Sequence, residues 1–199
     1  GKTTLLRILA GRAQPMGGEL EFGHRAACGY HDQDTSALSD DATPFITMRR
    51  AWPQLTDQEI RDHLAKFLFR GDDIDAEIKT LSGGERARLC LARLVLSSPS
   101  WMAMDEPTNH LDLAARTALE EMLSEYQGAL VVVSHDRAFL DILCNVILEV
   151  DRGTVTKFEG NYSAWRRAKL EATAAAKLPP QRTSGPSSKP TAVAKSTTQ

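Results

Sequence analysis

Two short runs, far apart in the chain, carry residue types that bind phosphate and metal. The first, Gly1-Lys2-Thr3-Thr4, matches the second half of the phosphate-loop pattern G-x-x-x-x-G-K-[ST]. In that pattern the lysine reaches the phosphates as a point charge, and backbone amides approach them at the glycine. Apolar residues at helical spacing follow and predict a helix directly after the run. By itself the tetrapeptide is a weak signal, and an accidental helix start explains it equally well.

The second run places two carboxylates, Asp105 and Glu106, after the apolar segment 101–104. A buried strand over that segment would present both carboxylates at its carboxyl end, where open α/β sheets bind ligands. Asp105 would then hold a magnesium ion, usually through water, beside the Thr3 hydroxyl. Glu106 would polarise an attacking water. An acidic pair that only caps the loop after the strand is the alternative that this dipeptide leaves open.

Regular strands and helices must position these two runs. The second half of the chain alternates between strand patterns, at residues 101–104 and 129–133, and helix patterns, at residues 113–126 and 137–143. Two short strand patterns follow, at residues 146–150 and 155–158. Such alternation predicts an α/β fold with a mostly parallel sheet flanked by helices. Upstream, residues 17–30 predict two short strands around a turn. Thr56 and Glu59 form a capping-box pattern that predicts the start of another helix.

Length and composition suit one domain, or one domain with a tail, because 199 residues with 42% hydrophobic side chains can bury a core. Residues 1–160 carry a net charge of −8 and residues 161–199 a net charge of +6. The negative charge of residues 1–160 excludes a globally basic nucleic-acid-binding domain there. A basic appendage at residues 161–199 remains possible. The apolar runs are too short for a transmembrane segment, which excludes an integral membrane chain. Three cysteines without pair or metal spacing indicate reduced residues of a cytoplasmic protein.

Three longer motifs resemble those of one protein family. Residues 81–85, Leu-Ser-Gly-Gly-Glu, resemble the signature motif of ATP-binding cassette proteins. Residues 105–112 resemble the Walker B motif and D-loop of the ABC-F subfamily, and residues 131–140 resemble its switch-histidine segment. The order and spacing of the motifs match along residues 1–170. The chain therefore resembles an ABC-F cassette.

The resemblance implies an α/β fold, a P-loop NTPase of the cassette type with an inserted helical subdomain. It implies a cassette over residues 1–160, with the helical subdomain at about 43–98. The sequence from Asn161 predicts a C-terminal helix at 161–176. Residues 177–199 are rich in Ser, Thr, Pro and Lys, and we expect them to form a disordered low-complexity tail.

The resemblance also assigns the nucleotide ligands. Gly1 and Lys2 would bind the phosphates, Thr3 would coordinate magnesium, and Thr4 would lie near the α-phosphate. Gln33 resembles the Q-loop glutamine, which contacts magnesium or the attacking water. An ordinary loop glutamine is the alternative for Gln33.

The same resemblance assigns the reacting groups. Asp105 would hold magnesium, and Glu106 would be the general base. His135 would hydrogen-bond the γ-phosphate as the switch histidine, with a helix-capping histidine as the alternative. The turn Ser82-Gly83-Gly84 opens a helix, where amides and dipole favour an anion, and in the family it serves a nucleotide held by the opposite cassette. Hydrolysis would therefore require a second cassette.

These assignments imply magnesium-dependent ATP binding and hydrolysis by a soluble cytoplasmic cassette. The resemblance further implies a ribosome-associated translation factor or antibiotic-resistance protein, with rRNA and tRNA as partners. The nucleotide-binding subunit of a membrane transporter and a degenerate, non-enzymatic scaffold are the alternatives.

The sequence starts at the second glycine of the phosphate-loop pattern, so we expect a fragment of a longer ABC-F protein that begins inside Walker A. The low-complexity tail, in place of a charged helical linker, favours the second of two cassettes. A fragment without the first half of the loop and the strand that feeds it is expected to bind ATP poorly and to be inactive alone.

Overall fold

The computed structural model of the chain describes residues 1–24, 26–31 and 38–177. The chain divides into two compact units, Gly1–Trp165 and Arg166–Gln199. The second unit is helical over its described part, residues 166–177. Gln33 and residues 178–199 of the predicted tail lie outside the described residues.

Helices and strands alternate along most of the described chain. The helices are α1 (Lys2–Leu9), α2 (Pro44–Ala51), α3 (Asp57–Lys66), α4 (Gly83–Leu96), α5 (Leu113–Ser124), α6 (Arg137–Leu143) and α7 (Tyr162–Lys177). The strands are β1 (Cys28–His31), β2 (Trp101–Asp105), β3 (Ala129–Val133), β4 (Val146–Asp151) and β5 (Thr154–Glu159). Two short 3-10 helices, Gly71–Ile74 and Ile78–Thr80, precede α4. Among the described helices, none combines the length and the apolar character needed to cross a membrane.

Strand β2 is the centre of a three-stranded parallel sheet with the order β1-β2-β3. Met102, Ala103 and Met104 on β2 are fully buried. Met102 and Met104 belong to the main hydrophobic core, and helix α1 packs against β2 and β3. Because successive side chains of a strand point to opposite faces, burial of all three means that both faces of β2 are covered. The predicted α/β fold with a parallel sheet is confirmed.

Side-chain caps determine where several helices begin. The Thr56 hydroxyl accepts a hydrogen bond from the Glu59 N–H at 3.2 Å, and the Glu59 carboxylate accepts one from the Thr56 N–H at 2.7 Å. This confirms the predicted capping box of α3. Asp112 caps α5 by accepting a hydrogen bond from the Ala115 N–H at 2.8 Å. Each cap satisfies N–H groups that the first turn of a helix leaves without a partner.

Helices α2, α3 and α4, which lie between β1 and β2 in the sequence, pack into a helical layer. Their apolar faces contribute much of the main core, including Met48, Ile60, Leu64 and Leu89. Helix α3 packs against α2 and α4, and α4 in turn packs against β1. The helical layer therefore packs directly on the sheet. The bounds of the helical subdomain, 43–98, and of the cassette, 1–160, stay predictions.

The two strands expected within residues 17–30 are only half present. Cys28–His31 form β1, whereas residues 19–22 are exposed and form no strand within the described part of the chain. A local alternation of side chains predicts a strand, but it does not supply the neighbour that must pair with the backbone. Strands β4 and β5 are antiparallel and are joined by Arg152 and Gly153, both with positive φ, as a tight hairpin turn requires.

Candidate active site

The phosphate-loop residues form the first turn of α1. Gly1 is its N-cap, and the helix begins with Lys2, Thr3 and Thr4. Thr3 is half-buried, whereas the other three are exposed. The first turn itself contains no acidic residue, and the positive end of the helix dipole favours an anion there. This end of α1 can therefore bind an anion through its backbone N–H groups and Lys2.

Thr3 joins α1 to the carboxyl end of β2. Its hydroxyl Oγ1 donates a hydrogen bond to Oδ1 of Asp105 at 3.3 Å. A magnesium ion takes oxygen ligands at about 2.0–2.1 Å in octahedral geometry, which places neighbouring ligand oxygens about 3 Å apart. The Thr3 hydroxyl and the Asp105 carboxylate thus have the chemistry and the spacing to hold magnesium directly or through its water.

Glu106 follows β2 in a left-handed backbone conformation. Its φ is +49°, and its N–H donates a hydrogen bond to the Val133 carbonyl at 2.7 Å. A non-glycine residue in this region costs about 1–3 kcal/mol, which the surrounding contacts must offset. The conformation ends the strand directly after Asp105. This conformation turns the chain away at the edge of the sheet where Asp105 pairs with the last residue of β3.

The Glu106 carboxylate contacts His135, which comes two residues after β3. Oε2 of Glu106 accepts a hydrogen bond from the His135 backbone N–H at 3.1 Å, and Oε1 lies 3.6 Å from Nε2 of the ring. The Glu106 side chain is 15% exposed, whereas the His135 side chain is 82% exposed. The sheltered Glu106 carboxylate can accept a proton from a water molecule. The exposed His135 ring beside it can hydrogen-bond a bound phosphate.

Asp136, and not His135, caps α6. One oxygen of its carboxylate, Oδ1, accepts hydrogen bonds from the N–H groups of Ala138 at 3.1 Å and Phe139 at 3.2 Å. The alternative interpretation of His135 as a helix-capping histidine is therefore wrong.

The Ser82 turn opens α4 through a second capping box. Ser82 accepts a hydrogen bond from the Glu85 N–H, and the Glu85 carboxylate accepts hydrogen bonds from the Ser82 hydroxyl and N–H. These hydrogen bonds hold the pKa of Glu85 below its ordinary value. Ser82 and Gly83 are exposed.

Gly84 lies close to the segment that follows Glu106. A Cβ atom at Gly84 would lie 2.6 Å from the backbone oxygen of His110. One at Gly83 would meet no described atom within 4 Å beyond its own helix backbone and chain neighbours. The Arg88 guanidinium on α4 also lies 3.8 Å from the carboxylate of Asp112. The start of α4 therefore packs closely on His110 and Asp112, within the segment 105–112 that resembles the Walker B motif and D-loop.

The structure brings Thr3, Asp105, Glu106 and His135 to one edge of the sheet. No hydrogen bond or ion pair within the described ranges links the Ser82 turn to these four residues. Gln33 lies outside the described residues, so its predicted role stays a prediction.

Sequence patterns did not single out Arg116, which contacts Asp136 directly after His135. Its guanidinium on α5 lies 2.6 Å from the carboxylate of Asp136 and 3.0 Å from that of Glu120. The spacing of Arg116 and Glu120, one helical turn apart, is visible in the sequence. The pair with Asp136 is not, because it depends on the packing of α5 against α6.

An apolar groove of about 540 Å³ runs beside β3. Parts of α1, α6 and β4 line it, with Lys2 among the lining residues. Among the described strands, β3 pairs only with β2, so the backbone groups of its other edge have no ladder partner there. The groove therefore combines apolar surface with a strand edge, a combination that favours pairing with another extended segment.

Comparison with known proteins identifies the family. The family model described as ABC transporter matches residues 1–109. The chain belongs to this family of ATP-binding cassettes. The cassette is 42% identical to the probable ATP-binding protein YheS of Escherichia coli (strain K12), over 83% of this chain and 26% of that protein. It is 34% identical to the ABC transporter F family member 5 of Arabidopsis thaliana, over 86% of this chain and 25% of that protein. The predicted ABC-F membership is confirmed.

A solved structure shares the cassette fold. It is the complex of the archaeal ribosomal stalk protein aP1 with the archaeal ribosome recycling factor aABCE1, with a TM-score of 0.68 and 25% identity. The match covers 86% of this chain and 34% of that one. This likeness and the family match confirm the predicted cassette-type P-loop fold. The chain spans about a quarter of the length of both curated relatives.

Proposed function

We propose that this cassette binds ATP with magnesium and hydrolyses it. The proposal rests on one observation: the Thr3–Asp105 pair and the Glu106–His135 pair meet at the carboxyl ends of β2 and β3. The first pair supplies oxygen ligands for a metal, and the second supplies a base and a hydrogen-bond donor. Beside them, the start of α1 supplies backbone N–H groups for phosphate.

Each residue then has a separate task in hydrolysis. Lys2 and the first N–H groups of α1 bind the phosphates, with Gly1 and Thr4 beside them. Thr3 and Asp105 hold magnesium, which neutralises charge on the phosphate oxygens. Glu106 accepts a proton from the attacking water, and Gln33 helps to orient that water. His135 donates a hydrogen bond from its exposed ring to the γ-phosphate.

Hydrolysis requires a second cassette in the same full-length protein. Ser82, Gly83 and Gly84 serve a nucleotide held by that partner, not the one held by Lys2. Two features support this arrangement: the exposure of Ser82 and Gly83, and the lack of any bond within the described residues from this turn to Thr3 or Asp105.

We infer that the full-length protein acts in the cytoplasm on ribosomes, as a translation factor or antibiotic-resistance protein that contacts rRNA or tRNA. Its F-family relatives support this, as does the likeness to a recycling factor that was solved with a ribosomal stalk protein. None of the three cysteines, Cys28, Cys90 and Cys144, forms a disulfide, which is typical of a reducing compartment. The nucleotide-binding subunit of a membrane transporter is the alternative.

Sedimentation separates these two functions. With ATP, the Glu106→Gln variant of the full-length protein is expected to sediment with ribosomes, because it should hold ATP without hydrolysing it. The matched control is Glu121→Gln, which removes an exposed carboxylate of α5. If the protein instead purifies with a membrane permease and not with ribosomes, the transporter function replaces the proposed one.

The 199-residue chain alone is expected to bind ATP weakly and to aggregate. The groove beside β3 and the strand edge next to it expose surface that further chain must cover. The curated relatives, about four times as long as the matched region, support the presence of such chain. Calorimetry on the isolated chain measures this, and a dissociation constant for ATP in the nanomolar to low-micromolar range would contradict the expectation.

A further inference from the structure

Arg116 connects α5 to the segment that carries His135. On α5, Nε of Arg116 donates a hydrogen bond to Oε1 of Glu120 at 3.0 Å. Across the interface with α6, Nη1 lies 2.6 Å from Oδ2 of Asp136. The side chains of Arg116 and Asp136 are only 28% and 18% exposed. A charge-assisted contact that is sheltered in this way is stronger than an ion pair in open solvent.

Asp136 contacts two elements with its two carboxylate oxygens. Oδ1 caps α6, and Oδ2 pairs with Arg116. The backbone N–H of Asp136 also donates a hydrogen bond to the Ser134 hydroxyl at 3.0 Å. His135 lies between these two residues. Its own N–H is bound to Glu106, so Asp136 and Glu106 together determine where the imidazole is presented.

The other end of this connection is the start of α5. The Arg116 N–H donates a hydrogen bond to the Asp112 carbonyl at 3.0 Å, one turn into the helix. Asp112 caps α5 and its carboxylate lies 3.8 Å from Arg88 of α4. Contacts therefore run from α4 through the start of α5 and Arg116 to the His135 segment.

We propose that Arg116 is a positioning residue for His135, coupling the location of α5 to the placement of the imidazole beside Glu106. This rests on the proposed function, since His135 matters only where a phosphate is bound. Arg116 itself contacts neither Glu106 nor His135 within the described residues, so its effect passes through Asp136.

Four variants of the full-length protein test the role. Arg116→Ala removes both contacts and keeps a good helix former in α5. Asp136→Asn keeps an oxygen that can cap α6 but loses the charge that pairs with Arg116. Arg116→Lys keeps the charge without the planar fork. Glu120→Gln is the matched control, because it weakens the contact of Arg116 with residue 120 and leaves the contact with Asp136 unchanged.

The first readout is the split between kcat and KM for ATP. Arg116→Ala and Asp136→Asn are expected to lower kcat about tenfold and to change KM less than about twofold. Arg116→Lys should recover part of the loss, and Glu120→Gln should keep kcat within about twofold. Unchanged kcat in Arg116→Ala, or an equal loss in Glu120→Gln, overturns the proposal, because an equal loss would mean that Arg116 only stabilises α5.

The second readout does not depend on hydrolysis. Hydrogen exchange of a peptide over residues 134–143, without nucleotide, should be about tenfold faster in Arg116→Ala and Asp136→Asn than in the parent and in Glu120→Gln. Equal exchange rates in the parent, Arg116→Ala, Asp136→Asn and Glu120→Gln overturn the proposal. A parent protein that cannot hydrolyse ATP contradicts the proposed function, and the exchange experiment still decides the role of Arg116.

Discussion

Replacing Glu106 with Gln in the full-length protein is expected to lower the rate of ATP hydrolysis by about 10²- to 10⁴-fold while ATP stays bound. The glutamine has the same shape, and its amide oxygen can still accept the hydrogen bond from the His135 N–H. It cannot take a proton from the attacking water. The variant therefore removes the base and keeps the local structure, including the turn at Glu106.

Single-turnover hydrolysis with ATP in the active site is the measurement, together with ATP affinity. Glu121→Gln is again the control, since Glu121 is an exposed carboxylate on α5 with no assigned role. Hydrolysis by Glu106→Gln at the parent rate would show that Glu106 is not the base. A parent protein that binds ATP but does not hydrolyse it would favour the scaffold alternative.

Replacing Gly84 with Ala is expected to destabilise the contact between α4 and the segment after Glu106 by about 1–3 kcal/mol. The added Cβ would lie 2.6 Å from a backbone oxygen of His110, which cannot rotate away as a side chain would. His110 itself has a positive φ of 64°, so its backbone is already in a restricted conformation. Either α4 or residues 107–112 must move.

Gly83→Ala is the matched control for this prediction. Apart from its own helix backbone and chain neighbours, no atom of the described residues lies within 4 Å of a Cβ at Gly83, so the free energy of unfolding should be unchanged or raised by up to about 1 kcal/mol. Hydrogen exchange of peptides from α4 and from residues 107–112 in the full-length protein measures the local stability. Equal protection of the two variants would contradict the close approach of Gly84 and His110.

Local chemistry explains which elements could be predicted from the sequence. The capping boxes at Thr56 and Ser82 form within four residues, so the sequence contains both partners. Residues 101–104 of β2 are apolar, as suits a strand with both faces covered, and that composition is visible in the sequence. The two carboxylates after it then fall at the ligand-binding edge by the rule for parallel sheets.

Contacts between distant elements explain what could not be predicted. Residues 19–22 have a strand-like pattern but no described strand pairs with them, and pairing depends on the whole sheet. The Arg116–Asp136 pair joins two helices whose packing is not encoded in either helix alone. The steric role of Gly84 appears only when His110 is brought against it. These features follow from tertiary structure and leave no local pattern.

The most direct test of this account is the rate of phosphate release from ATP by the full-length protein, with magnesium and with EDTA. The account predicts steady turnover with magnesium and none with EDTA, because Thr3 and Asp105 are placed to hold the ion. No turnover with magnesium, or equal turnover in EDTA, would contradict it.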